Sequence, residues 1–118
     1  MKQFLAISAA ISLVLIAAAQ SSTPFHIAKA IVTSAPAPVW PFGGRIQRTT
    51  FGMFILRVRP DGTVARVDIA QSCGYQTFDL ATMDAFYKWR FIPGSAENVT
   101  VPVAYKVDSK GTRIEIGR

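Results

Sequence analysis

Side chains that could carry covalent chemistry are few in this sequence. The chain has one histidine, His26, and one cysteine, Cys73, and the two belong to different segments. A nucleophilic enzyme needs a thiol or hydroxyl beside a base, and often a third group that orients the base. The spacing of His26 and Cys73 gives no support for such a pair, so we interpret His26 as a surface or linker residue.

Metal and phosphate sites also lack their usual residue patterns. A zinc site needs three or four cysteine, histidine or carboxylate ligands at close spacing, and no such group of residues occurs. Asp61 precedes a turn glycine and Asp79 lies where a helix begins, so local structure explains both carboxylates. The pair Gly43-Gly44 lacks the preceding strand and the following helix of a phosphate loop. The sequence therefore predicts no catalytic residue, no cofactor and no metal site.

The charge composition argues against a nucleic-acid partner. Lysine and arginine total 13 against 7 acidic residues, which gives a net charge of +6. These basic residues are spread along the chain, whereas a nucleic-acid site clusters them on one element or face. We interpret them as a solvated basic face. The lone Cys73 cannot form an intramolecular disulfide, so we expect a buried thiol or a pair with another chain.

The N-terminus has the composition of an export signal. Lys2 precedes an uncharged run from Phe4 to Ala19, which ends in small residues and is followed by polar ones. This order is typical of a secretory signal peptide, and we predict cleavage after Ala19. A retained single-pass membrane anchor is the alternative, although the run is slightly shorter than the ~17–25 residues of a spanning helix.

Proline and small residues follow the export segment. Residues 20–41 contain four prolines, a composition that favours an extended linker. Fully extended, such a linker reaches at most ~70 Å. We therefore divide the chain into a signal peptide or short anchor (1–19), a proline-containing linker (20–41) and one folded domain (42–118).

Two alternating segments predict a β-hairpin over residues 53–70. Every second residue of the first strand is apolar and expected in the core: Phe54, Leu56 and Val58. The Asp61-Gly62 pair supplies the positive φ of a tight turn. In the second strand, alternation places three residues on the buried face: Ala65, Val67 and Ile69.

A helix and one or two further strands complete the predicted fold. Residues 78–90 carry an apolar stripe at helical spacing: Phe78, Thr82, Ala85, Phe86 and Trp89. Val99–Val107 alternates as a third strand, and Pro102, which cannot donate to a ladder, places it at a sheet edge. Residues 113–116 are a candidate for a short fourth strand. The predicted class is α+β, with an antiparallel sheet of three or four strands packed by one main helix.

Five motifs follow one another in an order that resembles the TonB C-terminal domain family. They lie between Gly52 and Val107: Pro60-Asp61-Gly62-Thr63-Val64, Ser72-Cys73-Gly74, Phe78-Asp79, Trp89-Arg90-Phe91-Ile92-Pro93 and Val101-Pro102-Val103. The resemblance implies an antiparallel three-stranded sheet packed by helices. It also implies a periplasmic, protein-binding role in energised transport across the Gram-negative outer membrane, without catalysis.

The same resemblance implies where a partner binds. In this family the domain grips a short segment of an outer-membrane receptor, and the grip resembles strand addition along the third strand. An exposed edge strand offers unpaired backbone groups to such a segment. The residues expected to bind the partner are therefore Val99, Val101, Val103, Tyr105 and Val107.

Two alternatives remain beside receptor docking. If residues 4–19 stay in the membrane, the chain is a full energy transducer that an inner-membrane motor drives. The domain is otherwise a structural module of the envelope that self-associates, for instance as a homodimer, through the same edge and has no transport role. A size measurement with and without an extended receptor peptide separates docking from self-association.

Overall fold

The computed structural model describes residues 22–41 and 43–117 of the chain. The predicted export segment, residues 1–19, lies outside these ranges. Inside them, no helix combines the length and the apolar character that crossing a membrane requires.

Short strands and two helices alternate along the described residues. The N-terminal elements are β1 (Thr23–Pro24), helix α1 (Phe25–Ala28), a 3₁₀ turn (Lys29–Ile31) and β2 (Val32–Ser34). The remaining elements are β3 (Thr50–Val58), β4 (Val64–Gln71), helix α2 (Gln76–Tyr87), β5 (Arg90–Phe91), β6 (Asn98–Asp108) and β7 (Gly111–Ile116).

One mixed sheet of five strands forms the centre of the fold. Its order is β1-β6-β3-β4, and β7 also pairs with β6. The β3–β4, β3–β6 and β6–β7 pairs are antiparallel, whereas β1 runs parallel to β6. A second, two-stranded sheet joins β2 to β5. The predicted α+β class is confirmed, with more strands than the sequence indicated.

The hairpin of β3 and β4 has the predicted turn and an altered buried face. Gly62 has a φ of 90°, and Asp61 Oδ1 accepts a hydrogen bond from the Thr63 amide at 3.0 Å. A register shift opposite Arg57 and Val58 inserts an extra residue into β4. Because this bulge shifts the alternation, Val64 is buried in place of Ala65, whereas Val67 is buried as predicted. Ala65 is exposed and Ile69 is 43% exposed, so the prediction for these two was wrong.

Helix α2 covers the core face of the sheet with the predicted stripe. All five stripe residues are at most 5% exposed. The Phe86 ring lies 5.5 Å from that of Phe54 in β3 and 4.9 Å from that of Trp89. The helix spans Gln76–Tyr87 rather than 78–90. It ends early because Arg90 and Phe91 leave it to form β5 against β2.

Residues 22–41 pack against the domain, so the linker prediction is corrected for this range. The Phe25 side chain is 8% exposed, and its ring lies 5.5 Å from that of Trp89. The Trp89 indole donates to the Pro36 carbonyl at 3.0 Å, and the Ile92 amide donates to the Ile31 carbonyl at 2.8 Å. We call residues 22–41 the strap. Aromatic burial and backbone pairing outweigh the tendency of its prolines to stay extended and solvated.

Candidate protein-interaction surface

Strand β6, the predicted edge strand, lies inside the sheet. One side of it pairs with β3 from Asn98 to Tyr105. On the other side, β7 covers Val103–Asp108 and β1 covers Val99 and Thr100. The predicted edge position was therefore wrong. Pro102 lies between the residues of β6 that pair with β1 and those that pair with β7, so neither ladder needs an amide from it. Its carbonyl accepts from the Gly117 amide.

The backbone of β6 alternates between its two neighbours. The Pro102 carbonyl faces β7, where it accepts from Gly117 at 2.8 Å, and the Val107 amide faces the start of β3, where it donates to Thr49 Oγ1 at 3.1 Å. Since successive residues of a strand point to opposite sides, the odd-numbered residues bond toward β3. A strand added on the other side would meet the backbone of residues 100, 102, 104 and 106.

The five predicted partner-binding residues share this inner position. Four of them are at most 1% exposed and point into the core: Val99, Val101, Val103 and Tyr105. The fifth, Val107, packs against that core. The Tyr105 hydroxyl lies 2.6 Å from Thr82 Oγ1 in α2, and burial raises the pKa of Tyr105. A docked strand in this fold would pair with other backbone groups.

Two short strands, β1 and β7, pair with the same side of β6, one toward each end of it. We call them the split row. Gly117 directly follows β7, and a Cβ on it would lie 2.4 Å from the ring of Phe25, the residue after β1, so only glycine fits there. Beyond β7, no strand of the described residues pairs with its outer edge. By the alternation set by Gly117, the backbone groups of Thr112, Ile114 and Ile116 point outward.

The opposite edge of the sheet is obstructed. Strand β4 contains two register shifts against β3, and bulges twist an edge away from further pairing. The Tyr87 hydroxyl accepts from the outward Val67 amide at 3.3 Å, and Thr63 forms an isolated bridge with Arg90. Strand addition is therefore easier at β7 than at β4.

Charged side chains near β7 pair with one another. Glu115 accepts from Arg113 at 2.8 Å and lies 3.2 Å from the Lys106 amine. Hydrogen bonds from Arg113 and then Lys106 lower the pKa of Glu115, and Arg113 likewise lowers the pKa of Asp108. Such exposed pairs contribute little stability, but they cover the outer face of the β6–β7 hairpin.

Three depressions lie near Asn98 and Thr100 at the start of β6. The largest, about 630 Å³, is lined by Arg57, Pro60, Glu97 and Asn98 among others. The second, about 330 Å³, is lined by Ser22, Pro24, His26, Met53, Thr100 and Pro102 among others. A third, about 290 Å³, lies between them and is lined by Ser22, Thr23, Glu97 and Asn98. Residues of β1 form walls of the second and third.

The two residues considered first for chemistry occupy unrelated places. His26 lies exposed on α1, whereas Cys73 is 4% exposed in the connection from β4 to α2. Burial raises the pKa of the Cys73 thiol to about 11. The Cys73 amide donates to Asp79 Oδ1 at 3.1 Å, which makes Asp79 a support for this connection. Across residues 22–41 and 43–117, no three His, Cys, Asp or Glu side chains gather where they could hold a metal.

The sequence did not indicate that β1 and β7 could be interaction elements. The apolar alternation of Ile114 and Ile116 was a signal for β7 as a strand. For β1 there was no signal, because two residues carry no periodicity and Pro24 argues for a linker.

Comparisons with known proteins agree with this geometry. The family model for the Gram-negative bacterial TonB protein C-terminal matches residues 53–110. The solution NMR structure of the Pseudomonas aeruginosa TonB C-terminal domain is similar, with a TM-score of 0.55 and 20% identity. That match covers 66% of this chain and 86% of that one, and it shows a shared fold. A comparison with curated proteins gives no match.

Proposed function

Since this chain belongs to the TonB C-terminal domain family through residues 53–110, we propose that it binds protein in the periplasm and does not catalyse a reaction. Its partner is an outer-membrane TonB-dependent receptor. The domain docks an extended receptor segment by adding it as a further strand to the sheet. Strand addition derives its affinity from backbone hydrogen bonds, so it tolerates different partner sequences.

The outer edge of β7 carries this proposal. It is six residues long, contains no proline, and directs the backbone of Thr112, Ile114 and Ile116 outward. Proteins normally shorten, twist or cover such an edge, as this chain does at β4 with bulges and Tyr87. Among residues 22–41 and 43–117, no such device protects the outer edge of β7, so it is the best candidate for a docking strand.

Hydrogen exchange on the mature chain tests the docking edge. The probe is a synthetic peptide of the extended segment of a TonB-dependent receptor from the bacterium that encodes this chain. We expect added peptide to protect the amides of Thr112, Ile114 and Ile116 from exchange, and to leave Arg113 unchanged. Protection confined to other elements, or no binding of any receptor segment, would refute docking at β7.

A pair of substitutions at Thr112 provides the matched control. Thr112→Pro removes an outward amide and introduces a ring at the edge, whereas Thr112→Val keeps the amide on an equally exposed side chain. One lost hydrogen bond of ~0.5–1.5 kcal/mol lowers affinity by up to about tenfold. We expect this loss for the proline variant and near wild-type affinity for the valine variant.

The export prediction belongs to the same proposal. A mature protein that begins at Gln20 is released into the periplasm, whereas a retained segment 4–19 would hold the domain at the inner membrane. Mass spectrometry of the purified protein decides between the two. A mature N-terminus at Gln20 would exclude an anchored transducer.

A further inference from the structure

Helix α2 covers one face of the central sheet, and the opposite face keeps large apolar side chains at the surface. Phe54 and Leu56 of β3 are fully buried in the core. Alternation therefore directs Phe51, Met53 and Ile55 to the opposite face. There Phe51 is 57% exposed and Met53 is 37% exposed. We propose that this face binds the surface of a lipid bilayer that contains anionic phospholipid.

Strand β6 widens the apolar part of this face. Its Pro102 lies opposite Met53, and its Ala104 lies opposite Phe51. Ala104 is 1% exposed and yet lies outside the hydrophobic core cluster, which places it on this face rather than in the core. We call five residues the apolar face: Phe51, Met53, Ile55, Pro102 and Ala104. A contiguous apolar surface with a polar rim is typical of an interaction site.

Basic side chains border the apolar face at the end near the β3–β4 turn. Arg57 and Arg66 lie opposite each other on β3 and β4. Both contact Asp68, Arg57 at 2.9 Å and Arg66 at 3.0 Å. Two cations therefore share one carboxylate, and the Arg66 side chain remains 64% exposed. These three groups together carry a net positive charge.

The opposite end, beside the β6–β7 turn, also carries excess positive charge. Lys106 and Arg113 lie opposite each other and both contact Glu115, at 3.2 and 2.8 Å. Arg113 also contacts Asp108 at 3.1 Å, which balances the charge of this cluster. The exposed Lys110 of the same turn takes part in none of the ion pairs of residues 22–41 and 43–117, so its charge is in excess.

An apolar centre between two basic ends is complementary to an anionic bilayer. Interfacial binding combines the burial of apolar side chains with attraction to anionic headgroups. Arginine and lysine can reach the headgroup phosphates while their methylene stems lie along apolar neighbours. The charge of the whole chain has the same sign, since loss of Lys2 with the export segment lowers the net charge only from +6 to +5.

The chain enters the fold beside the apolar face. The depression of about 330 Å³ is lined by residues of the strap and of the sheet: Ser22, Pro24, His26, Met53, Thr100 and Pro102 among others. Met53 and Pro102 belong to the apolar face. The apolar run Phe4–Ala19 ends only a few residues before Ser22, so a bilayer that held this run would lie close to the apolar face. The position of the N-terminal segment thus favours a bilayer as the partner.

Flotation with lipid vesicles tests the proposal on a chain that begins at Gln20, which retains every described element. Vesicles of phosphatidylcholine alone are compared with vesicles that also contain phosphatidylglycerol. We expect binding to the anionic vesicles and much weaker binding to the neutral ones. Raising the salt from about 0.1 M to about 1 M shortens the Debye length from about 10 Å to about 3 Å and should reduce binding. Equal binding to both kinds of vesicle, or no binding to either, would overturn the proposal.

Two equally exposed apolar residues on opposite sides of the sheet provide matched variants. Phe51 is 57% exposed on the apolar face, and Leu80 is 54% exposed on α2. We expect Phe51→Ala to weaken binding to anionic vesicles about tenfold, because a phenylalanine side chain leaves water on binding. Leu80→Ala should leave the binding unchanged. An equal loss in both variants, or no loss for Phe51→Ala, would show that the apolar face does not contact the bilayer.

A second pair of variants tests the charges. The side chains of Arg66, on the sheet, and Lys88, at the end of α2, are 64% and 65% exposed, and each contacts one aspartate. We expect Arg66→Gln to weaken binding about fivefold, the contribution of one basic residue near an anionic surface, and Lys88→Gln to have much less effect. Both variants lower the net charge by the same amount, so an equal loss would show attraction without a defined face and overturn the proposal.

A second copy of the chain is the rival occupant of the apolar face. Sedimentation velocity without vesicles tests it, and we expect Phe51→Ala to leave the sedimentation coefficient unchanged. A concentration-dependent dimer that Phe51→Ala dissociates would assign the apolar face to self-association and overturn the proposal. The vesicle measurements contain no receptor peptide, so they succeed or fail independently of docking at the outer edge of β7.

Discussion

At the scale of single residues, Trp89 connects more parts of this fold than any side chain described above. Its ring is 2% exposed and contacts Phe25 of the strap, Phe86 of α2 and Phe91 of β5. Its indole nitrogen donates to the Pro36 carbonyl at 3.0 Å. The helical spacing predicted its burial, but no local pattern indicated that its indole nitrogen binds the strap.

We expect Trp89→Ala to lower the free energy of unfolding by about 3–5 kcal/mol, as for other large buried aromatic residues. Trp89→Phe keeps most of the packing and loses only the hydrogen bond to Pro36, so its loss should be smaller. Urea unfolding followed by circular dichroism measures both. An unchanged midpoint for the alanine variant would contradict the burial of this residue.

Burial of Cys73 predicts a pH dependence of stability. Its pKa rises from 9.0 to about 11 because desolvation disfavours the thiolate. The folded protein therefore keeps a proton that the unfolded chain releases, and the free energy of unfolding falls as the pH rises from 9 to about 11. Below pH 9 this contribution is fully present. Unfolding curves between pH 8 and 10, below the range where the buried Tyr105 adds a decline of its own, should show that decline, and Cys73→Ala should flatten it; an equal slope in both proteins would exclude Cys73 as its source.

At the scale of elements, short-range signals predicted the β3–β4 hairpin and α2 well. The Asp61-Gly62 turn and the apolar alternation of β3 depend on neighbouring residues, which a single sequence contains. The bulge in β4 does not, because it depends on how β4 pairs with β3. This is why Val64 is buried where alternation favoured Ala65, whereas Val67 is buried as alternation predicted.

The glycine of the hairpin turn has a second, tertiary role. A Cβ on Gly62 would lie 2.0 Å from the Phe91 carbonyl oxygen, whereas nothing lies within 4 Å of a Cβ on Gly94, which also has a positive φ. We expect Gly94→Ala to cost only the ~1–2 kcal/mol of left-handed strain, and Gly62→Ala to cost more, because β5 must move. Thermal unfolding of the two variants tests this order, and equal losses would contradict it.

The strap makes a clear stability prediction. Phe25 is 8% exposed and Ile27 is 59% exposed, although both lie on the same short helix. We expect Phe25→Ala to cost about 3–5 kcal/mol and Ile27→Ala less than about 0.5 kcal/mol. Chemical denaturation of both variants measures the difference. If the strap were a free linker, neither substitution would change the midpoint.

At the scale of the whole molecule, the sequence predicted the family and the fold class but not the edges of the sheet. Which edge is open depends on where β1, β4 and β7 lie in space, and these positions follow from contacts distant in the chain. A proline in Val99–Val107 favoured an edge position. In the structure β6 lies inside the sheet and the Gly117 amide donates to the Pro102 carbonyl, so the docking that we propose lies at the outer edge of β7 instead.

The strap also changes the reach of the domain. A free linker over 20–41 would extend ~70 Å, but residues from Thr23 onward are part of the fold. If residues 4–19 remain in a bilayer, only the few residues between Ala19 and Thr23 span the gap, or about 15 Å. An anchored form would hold its domain close to the inner membrane, whereas a transducer must reach across the periplasm. The short reach therefore favours an exported domain over an anchored transducer.

The placement of β1 at the N-terminal end has a mechanical consequence. A load applied at Ser22 pulls first on two residues that carry few bonds, and then on the buried Phe25 ring. Strands β3 and β6, with eight paired positions, bear tension only after those give way. Under tension the domain would unfold in steps. Its N-terminal segment would detach and lengthen the chain before the pairing of β3 with β6 breaks.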